Sequence, residues 1–137
     1  MNIILPKKLT IFFDGGCTKN PGGIATYAYI IKCSETNNTL KTDSGEALRG
    51  PNASNNVGEW FSVLSALRYL KENNWNGELK ILGDSQLVIN QLNGEYRCKK
   101  ENLIPYYKES LQILENMNWK ANWIPREENS ECDAISR

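Results

Sequence analysis

The chain has 137 residues, the length of one compact domain, and can bury a core without help from disulfides or a structural metal. Lys plus Arg balance Asp plus Glu at 16 each and histidine is absent, so no global positive field draws in polyanions and any nucleic-acid contact must be local. Cys17, Cys33, Cys98 and Cys132 show no C-x-x-C spacing, the opening Met1 to Pro6 is too short for a signal segment, and no apolar run approaches the roughly 20 residues of a membrane span; the expectation is a cytoplasmic protein with reduced thiols and no membrane.

Leu9 to Phe13 is apolar or β-branched at every position, as suits a central strand covered on both faces, and the spacing ends it at Asp14-Gly15-Gly16, with Asp14 at the strand end. Ile24 to Cys33 is a second strand, joined to the first by a loop dense in turn formers, which predicts antiparallel pairing. A weaker strand is expected over Thr39 to Gly45, after a hairpin turn at Asn37-Asn38. Val57 to Glu72 carries Phe61, Leu64, Leu67 and Leu70 at helical spacing, with Asn55 or Asn56 as N-cap, and Glu59 falls in its first turn. Glu78 to Gly83 is a short strand leading into Asp84, followed by a short helix over Ser85 to Leu92 that Asn93-Gly94 closes. Lys100 to Met117 reads as a longer helix with Pro105 in its first turns, and Trp119 to Ile124 as the last strand. A loop over Pro125 to Asn129 then precedes a terminal helix, Ser130 to Arg137, that carries Asp133. The order is βββαβααβα in a single domain over residues 1–137, with Trp60, Phe61, Tyr106, Tyr107, Trp119 and Trp123 expected mostly as core cover.

Four acids stand out by placement. Asp14 and Asp84 each follow an apolar strand directly, Glu59 opens a helix and Asp133 sits in the last one. Converging carboxylates supply the hard oxygen ligands that Mg²⁺ requires, and two such ions about 4 Å apart can activate a water and stabilise the phosphorane of phosphodiester cleavage. Empty of metal, the cluster repels itself, which is expected to raise the pKa of at least one carboxyl.

The motifs around these acids resemble type 1 ribonuclease H. Asp14-Gly15-Gly16-Cys17-Thr18-Lys19-Asn20-Pro21-Gly22 is similar to the D-G-[SA]-x-x-x-N-P-G opening of that family, with Gly16 in the Ser/Ala place. Ser54-Asn55-Asn56-x-x-Glu59 resembles its [TS]-N-N-x-x-E helix start, Asp84-Ser85-Gln86 its D-S-Q strand end, and Asn129-x-x-Cys132-Asp133 its C-terminal N-x-x-[AC]-D segment. The resemblance implies an α/β ribonuclease H-like fold with a five-stranded mixed sheet in the order 32145. It also implies hydrolysis of the RNA strand of an RNA–DNA hybrid to 3′-hydroxyl and 5′-phosphate ends, by a monomer. By motif position, Asp14, Glu59, Asp84 and Asp133 are the expected ligands of two Mg²⁺ ions, with Mn²⁺ a possible substitute, and Asn20, Asn55 and Gln86 the expected contacts to the hybrid's minor groove.

Two departures shape this reading. Many relatives carry a histidine before the last acid; here Arg126, in a loop like that of the archaeal-like branch, is the candidate to stabilise charge at the scissile phosphate. The basic insertion that grips the hybrid in many bacterial members is also missing, with only Arg97, Lys99 and Lys100 clustered in its region. A binding module that has lost turnover, or a DNA-acting nuclease or integrase, are the competing readings. Retention of all four acids argues against the first, and the N-P-G loop with the Asn-Asn helix start against the second.

Overall fold

The computed structural model describes residues 4–136, so the Met1-Asn2-Ile3 opening and Arg137, the expected last residue of the terminal helix, lie outside the described residues. In chain order the elements are β1 (Lys8–Cys17), β2 (Ile24–Cys33), β3 (Thr39–Arg49), α1 (Asn55–Glu72), β4 (Glu78–Gly83), α2 (Gln86–Leu92), α3 (Ile104–Leu114), β5 (Asn118–Trp123), a 3₁₀ turn (Arg126–Asn129) and α4 (Ser130–Ile135). The five strands form one mixed sheet in the order β3-β2-β1-β4-β5, as the resemblance implied. β1 runs antiparallel to β2 and parallel to β4, and β4 runs parallel to β5. A parallel neighbour needs a crossover, and α1 supplies it between the antiparallel half of the sheet and β4.

Alternation along the central strands sorts the core. Leu9, Ile11 and Phe13 of β1, with Tyr29, Ile31, Leu79 and Ile81 of its neighbours, face Val57, Trp60, Val63, Leu64 and Leu67 of α1 and Ile113 and Leu114 of α3. The other face carries a smaller cluster, Ala28 and Ile30, packed under Cys132 of α4 with Phe12 and Ile135 beside them. α4 therefore lies across the face opposite α1, and its first turns reach the same end of β1 that α1 reaches from above.

The structure corrects several boundaries. β1 does not stop at Asp14; its parallel pairing with β4 ends at Phe13↔Gly83, but pairing with β2 carries it on to Cys17, opposite Ala25. β3 runs to Arg49 instead of Gly45, because the same long hairpin partner continues the ladder. Asn37 is the turn residue, in the left-handed region at φ 63° that asparagine tolerates. The cap of α1 is Ser54, whose hydroxyl accepts the Val57 N–H; Asn55 and Asn56 are already helical. α3 starts at Ile104, not Lys100, because a helix running through would require the Pro105 nitrogen to donate a hydrogen bond that it cannot make. Its expected end at Met117 falls back to Leu114, where the chain turns into β5. Trp123 is not core: it is 46% exposed at the end of an edge strand, with its indole N–H donating to the Asp84 carbonyl at 3.1 Å.

Candidate active site

Register brings the two strand acids together. Phe13 pairs with Gly83 in the parallel ladder, so the next residues, Asp14, still paired with Ala28 of β2, and Asp84, which leaves the sheet, stand side by side. Gly83 has no room for a side chain, since a Cβ there would lie 2.3 Å from the Phe13 ring. The third acid arrives by close backbone approach. A Cβ on Gly58 would lie 2.3 Å from the Thr26 carbonyl, and one on Gly15 would lie 2.3 Å from the Glu59 nitrogen, so two glycines let the first turn of α1 rest directly on β1 and β2. Ser62, fully buried one turn later, accepts the Ala28 N–H at 3.2 Å and reaches the carbonyls of Asp14 and Gly58, tying helix to strands. In consequence, carboxylate oxygens of Asp14, Glu59 and Asp84 lie within 4.8 Å of one another.

The fourth acid comes from the opposite face. Asp133 of α4 shares a hydrogen bond with Asp14 and lies 3.6 Å from Nη2 of Arg126, whose side chain is otherwise well exposed. Asp14, Glu59, Asp84, Asp133, Arg126 and Asn55 line one open cleft. Asn20 lies in a neighbouring groove, but its Oδ1 accepts the Asn55 N–H at 3.1 Å, so the two motif asparagines form one unit beside the cleft. Gln86 is exposed at the first position of α2, where Ser85 is the cap, and does not line the acid cleft.

Burial and mutual repulsion show in the titration of the acids. Burial first, then the hydrogen bond with Asp133 and the charge of Asp84, raise the Asp14 pKa from 3.8 to about 7, against a lowering contribution from Ser136. Glu59 is pushed well above its ordinary value, again by burial before the charges of Asp14 and Asp84. The expected rise is present, with desolvation and not repulsion as its largest cause.

Three side chains that the motifs did not single out for a role support the acids. Asn129 donates from Nδ2 to the Phe13 carbonyl at 2.9 Å and to Asp84 Oδ1 at 3.2 Å. The Ser136 hydroxyl sits 3.0 Å from Asp14 Oδ2 and 2.8 Å from the Asp133 carbonyl. Trp123 pins the Asp84 backbone from the other side. Only the N-x-x-[AC]-D spacing hinted at Asn129; nothing local marks Ser136 or Trp123, whose partners are far away in the chain.

The site suits a divalent cation. Its donors are all carboxylates, the hard oxygens that alkaline-earth ions prefer, and Oε2 of Glu59 is buried without a hydrogen-bond partner, a cost that an ion between the acids would relieve. Cys17 borders the cleft, but its thiol donates to the Lys19 carbonyl and adds no ligand to the cluster.

A sheet of this order with one acid within β1 where its pairing with β4 ends, one directly after β4 and one just beyond the first turn of α1, which begins at Asn55 and not at Val57 as the sequence predicts, defines a ribonuclease H-like domain. A family model described as reverse transcriptase-like matches residues 12–137. Ribonuclease H of Campylobacter curvus is 31% identical over 147 residues, covering 96% of this chain and 91% of that protein. Among solved structures, the N-terminal ribonuclease H domain of a Mycobacterium tuberculosis protein superposes with a TM-score of 0.86 at 26% identity, covering 96% of this chain and 91% of that one. A compost-metagenome ribonuclease H1 solved with an RNA/DNA hybrid gives a TM-score of 0.82 at 26% identity over 93% and 92% of the two chains. The chain belongs to the type 1 ribonuclease H family.

Proposed function

We propose that this protein hydrolyses the RNA strand of RNA–DNA hybrids, leaving 3′-hydroxyl and 5′-phosphate ends, with two Mg²⁺ ions held by Asp14, Glu59, Asp84 and Asp133 and with Mn²⁺ as a substitute. The observation that carries the reading is the convergence of three carboxylates within 4.8 Å at the end of a buried strand pair, one of them with an unpartnered oxygen. When bound there, the ions supply a nucleophilic water at neutral pH and charge neutralisation at the reacting phosphate.

The chain's own groups do the rest. Asp14 and Asp84 are fixed by the register of β1 and β4, so the ligand spacing is set by the sheet and not by loops. Arg126, with its side chain largely exposed at the cleft rim, donates hydrogen bonds to non-bridging phosphate oxygens as charge builds on them. Asn20 has its Oδ1 committed to the Asn55 N–H, which leaves its amide N–H₂ as the end available to the hybrid. Amide donors suit the wide minor groove of an A-like duplex, which displays 2′-hydroxyls and base edges, and Gln86 at the exposed start of α2 belongs to the same contact set.

The binding surface is assembled without a basic extension: between α2 and α3, residues 93–103 form neither helix nor strand, with Arg97, Lys99 and Lys100 as the cations of that segment. A cytoplasmic monomer is the expected state. All four thiols are free, in keeping with a reducing compartment. Incubating the protein with end-labelled hybrid, duplex DNA, duplex RNA and single strands, with and without Mg²⁺, tests the assignment. Cleavage confined to the RNA of the hybrid and dependent on Mg²⁺ is expected; equal cleavage of duplex DNA, or none of the hybrid, overturns it.

A further inference from the structure

One buried polar side chain has no part in the chemistry described so far. Asn129 ends the 3₁₀ turn and is 1% exposed. Its amide nitrogen makes the two hydrogen bonds to Phe13 and Asp84, while its Oδ1 is buried with no partner. A buried unpaired amide oxygen opposes folding, and an apolar side chain of the same size would fill the space without that cost. What leucine could not do is donate a hydrogen bond to a carboxylate.

The two acceptors explain why that donor is useful. Phe13 immediately precedes Asp14 on β1, and Asp84 immediately follows β4, so one nitrogen links the backbone that carries one acid to the carboxylate of another. The Trp123 indole holds the Asp84 carbonyl, and Asn129 holds one oxygen of its carboxylate; together they leave the Asp84 side chain little rotation. The donor is also neutral. A lysine or arginine in this place would orient the carboxylate equally well but bring a positive charge that competes with a cation.

We propose that Asn129 is a positioning residue for the cation site: it fixes the rotation of the Asp84 carboxylate and its spacing from Asp14, leaving the other Asp84 oxygen to the ion. The inference rests on the reading of the acid cluster as a divalent cation site, and the following experiment separates the two. Mn²⁺ is titrated into the protein without nucleic acid, and free Mn²⁺ is followed by paramagnetic resonance, for the wild type, Asn129→Leu and Asn129→Ala. Leucine keeps the volume and removes the donor; alanine removes both.

Both variants are expected to bind Mn²⁺ about 10- to 100-fold more weakly, the range typical when an outer partner of a metal ligand is lost. The Mg²⁺ concentration for half-maximal cleavage should rise in parallel, with KM for the hybrid at saturating Mg²⁺ unchanged. A role in packing alone predicts the opposite pattern: Asn129→Ala melts lower, Asn129→Leu melts as the wild type or higher, and both hold Mn²⁺ with wild-type affinity. That result overturns the role of Asn129 while leaving the cation site intact. A wild-type protein that does not bind Mn²⁺ overturns both.

Discussion

The two halves of the site are built on different principles. Asp14 and Asp84 stand on the most deeply buried strands of the sheet, where Leu9, Ile11, Phe13 and Ile81 are fully covered and the parallel register dictates which residues meet. Asp133 and Arg126 stand on a short C-terminal segment, a 3₁₀ turn and a six-residue helix held by the small Ala28–Ile30–Cys132 cluster, the Lys32–Glu131 ion pair at 2.9 Å and the Asn129 amide. The first half is rigid because moving an acid means breaking a ladder. The second is adjustable, because few contacts hold it and one of its charges is largely in solvent. The difference suggests a division of labour in which the sheet sets the ligand geometry and the C-terminal segment tunes it.

The largest effect should come from the rigid half. Asp14→Asn or Asp84→Asn is expected to abolish cleavage at any Mg²⁺ concentration with the fold retained, because a charged ligand is lost and no core volume is. Asp14→Asn should in addition raise the melting temperature of the metal-free protein at about pH 8, since it removes a buried like charge from beside Asp84 and Glu59. Near-wild-type turnover in either variant would end the division drawn above at its root.

The adjustable half should respond less. Arg126→Ala is expected to lower kcat roughly ten- to a thousand-fold with little change in KM, as when a single transition-state donor is removed, and Arg126→Lys to recover part of the loss, having the charge without the fork. Steady-state kinetics of Arg126→Ala within twofold of wild type would return this arginine to the solvated surface.

Gly58→Ala probes the junction of helix and strands. The added Cβ meets the Thr26 backbone carbonyl, so α1 must lift from β2 and carry Glu59 with it. Displacement of a reacting group by about 1 Å can cost on the order of 100-fold, so turnover should fall by about that factor, with a stability loss of roughly 1–3 kcal/mol from overpacking. Alanine tolerated with unchanged kcat and melting temperature would mean that the helix start is softer than the glycine contact implies.

The remaining effect is thermal and depends on pH, and leaves turnover aside. Asp14 titrates near 3.8 when unfolded and about 7 in the metal-free fold, so the folded state holds an extra proton between those values. Stability of the metal-free protein should therefore fall as pH rises from about 4 to about 7, with Glu59 acting in the same direction, and added Mg²⁺ should reverse the fall at the alkaline end. Thermal melts of wild type and Asp14→Asn across this range check it: the slope should be shallower in the variant. Parallel profiles would show that the titration belongs to groups outside the cluster.

Much of the rigid half was legible in the residues themselves. An apolar run leading into Asp14, a short strand ending just before Asp84, and a helix that carries Glu59 near its start follow from periodicity and turn chemistry, because burial imposes the same pattern on any strand or helix in those places. The element order and the motif spacing also anticipated the sheet. Local pattern failed where long-range pairing decides. β1 continues past Asp14 and β3 past Gly45 because each has a partner to pair with, and no window of sequence contains that partner. Trp123 read as core because an indole usually is; it is exposed because β5 is an edge strand.

What the sequence determined by itself was therefore the identity of the acids and the elements that carry them, since hydrophobic period, caps and glycines act over a few residues. Tertiary structure alone decided how they meet: the parallel register that sets Asp14 beside Asp84, the glycine contact that lowers Glu59 onto them, and the link from Asn129, 116 residues from Phe13 in the chain, that holds an acid in place. Those are contacts between distant segments, and their geometry exists only once the sheet and its two layers of helices have packed.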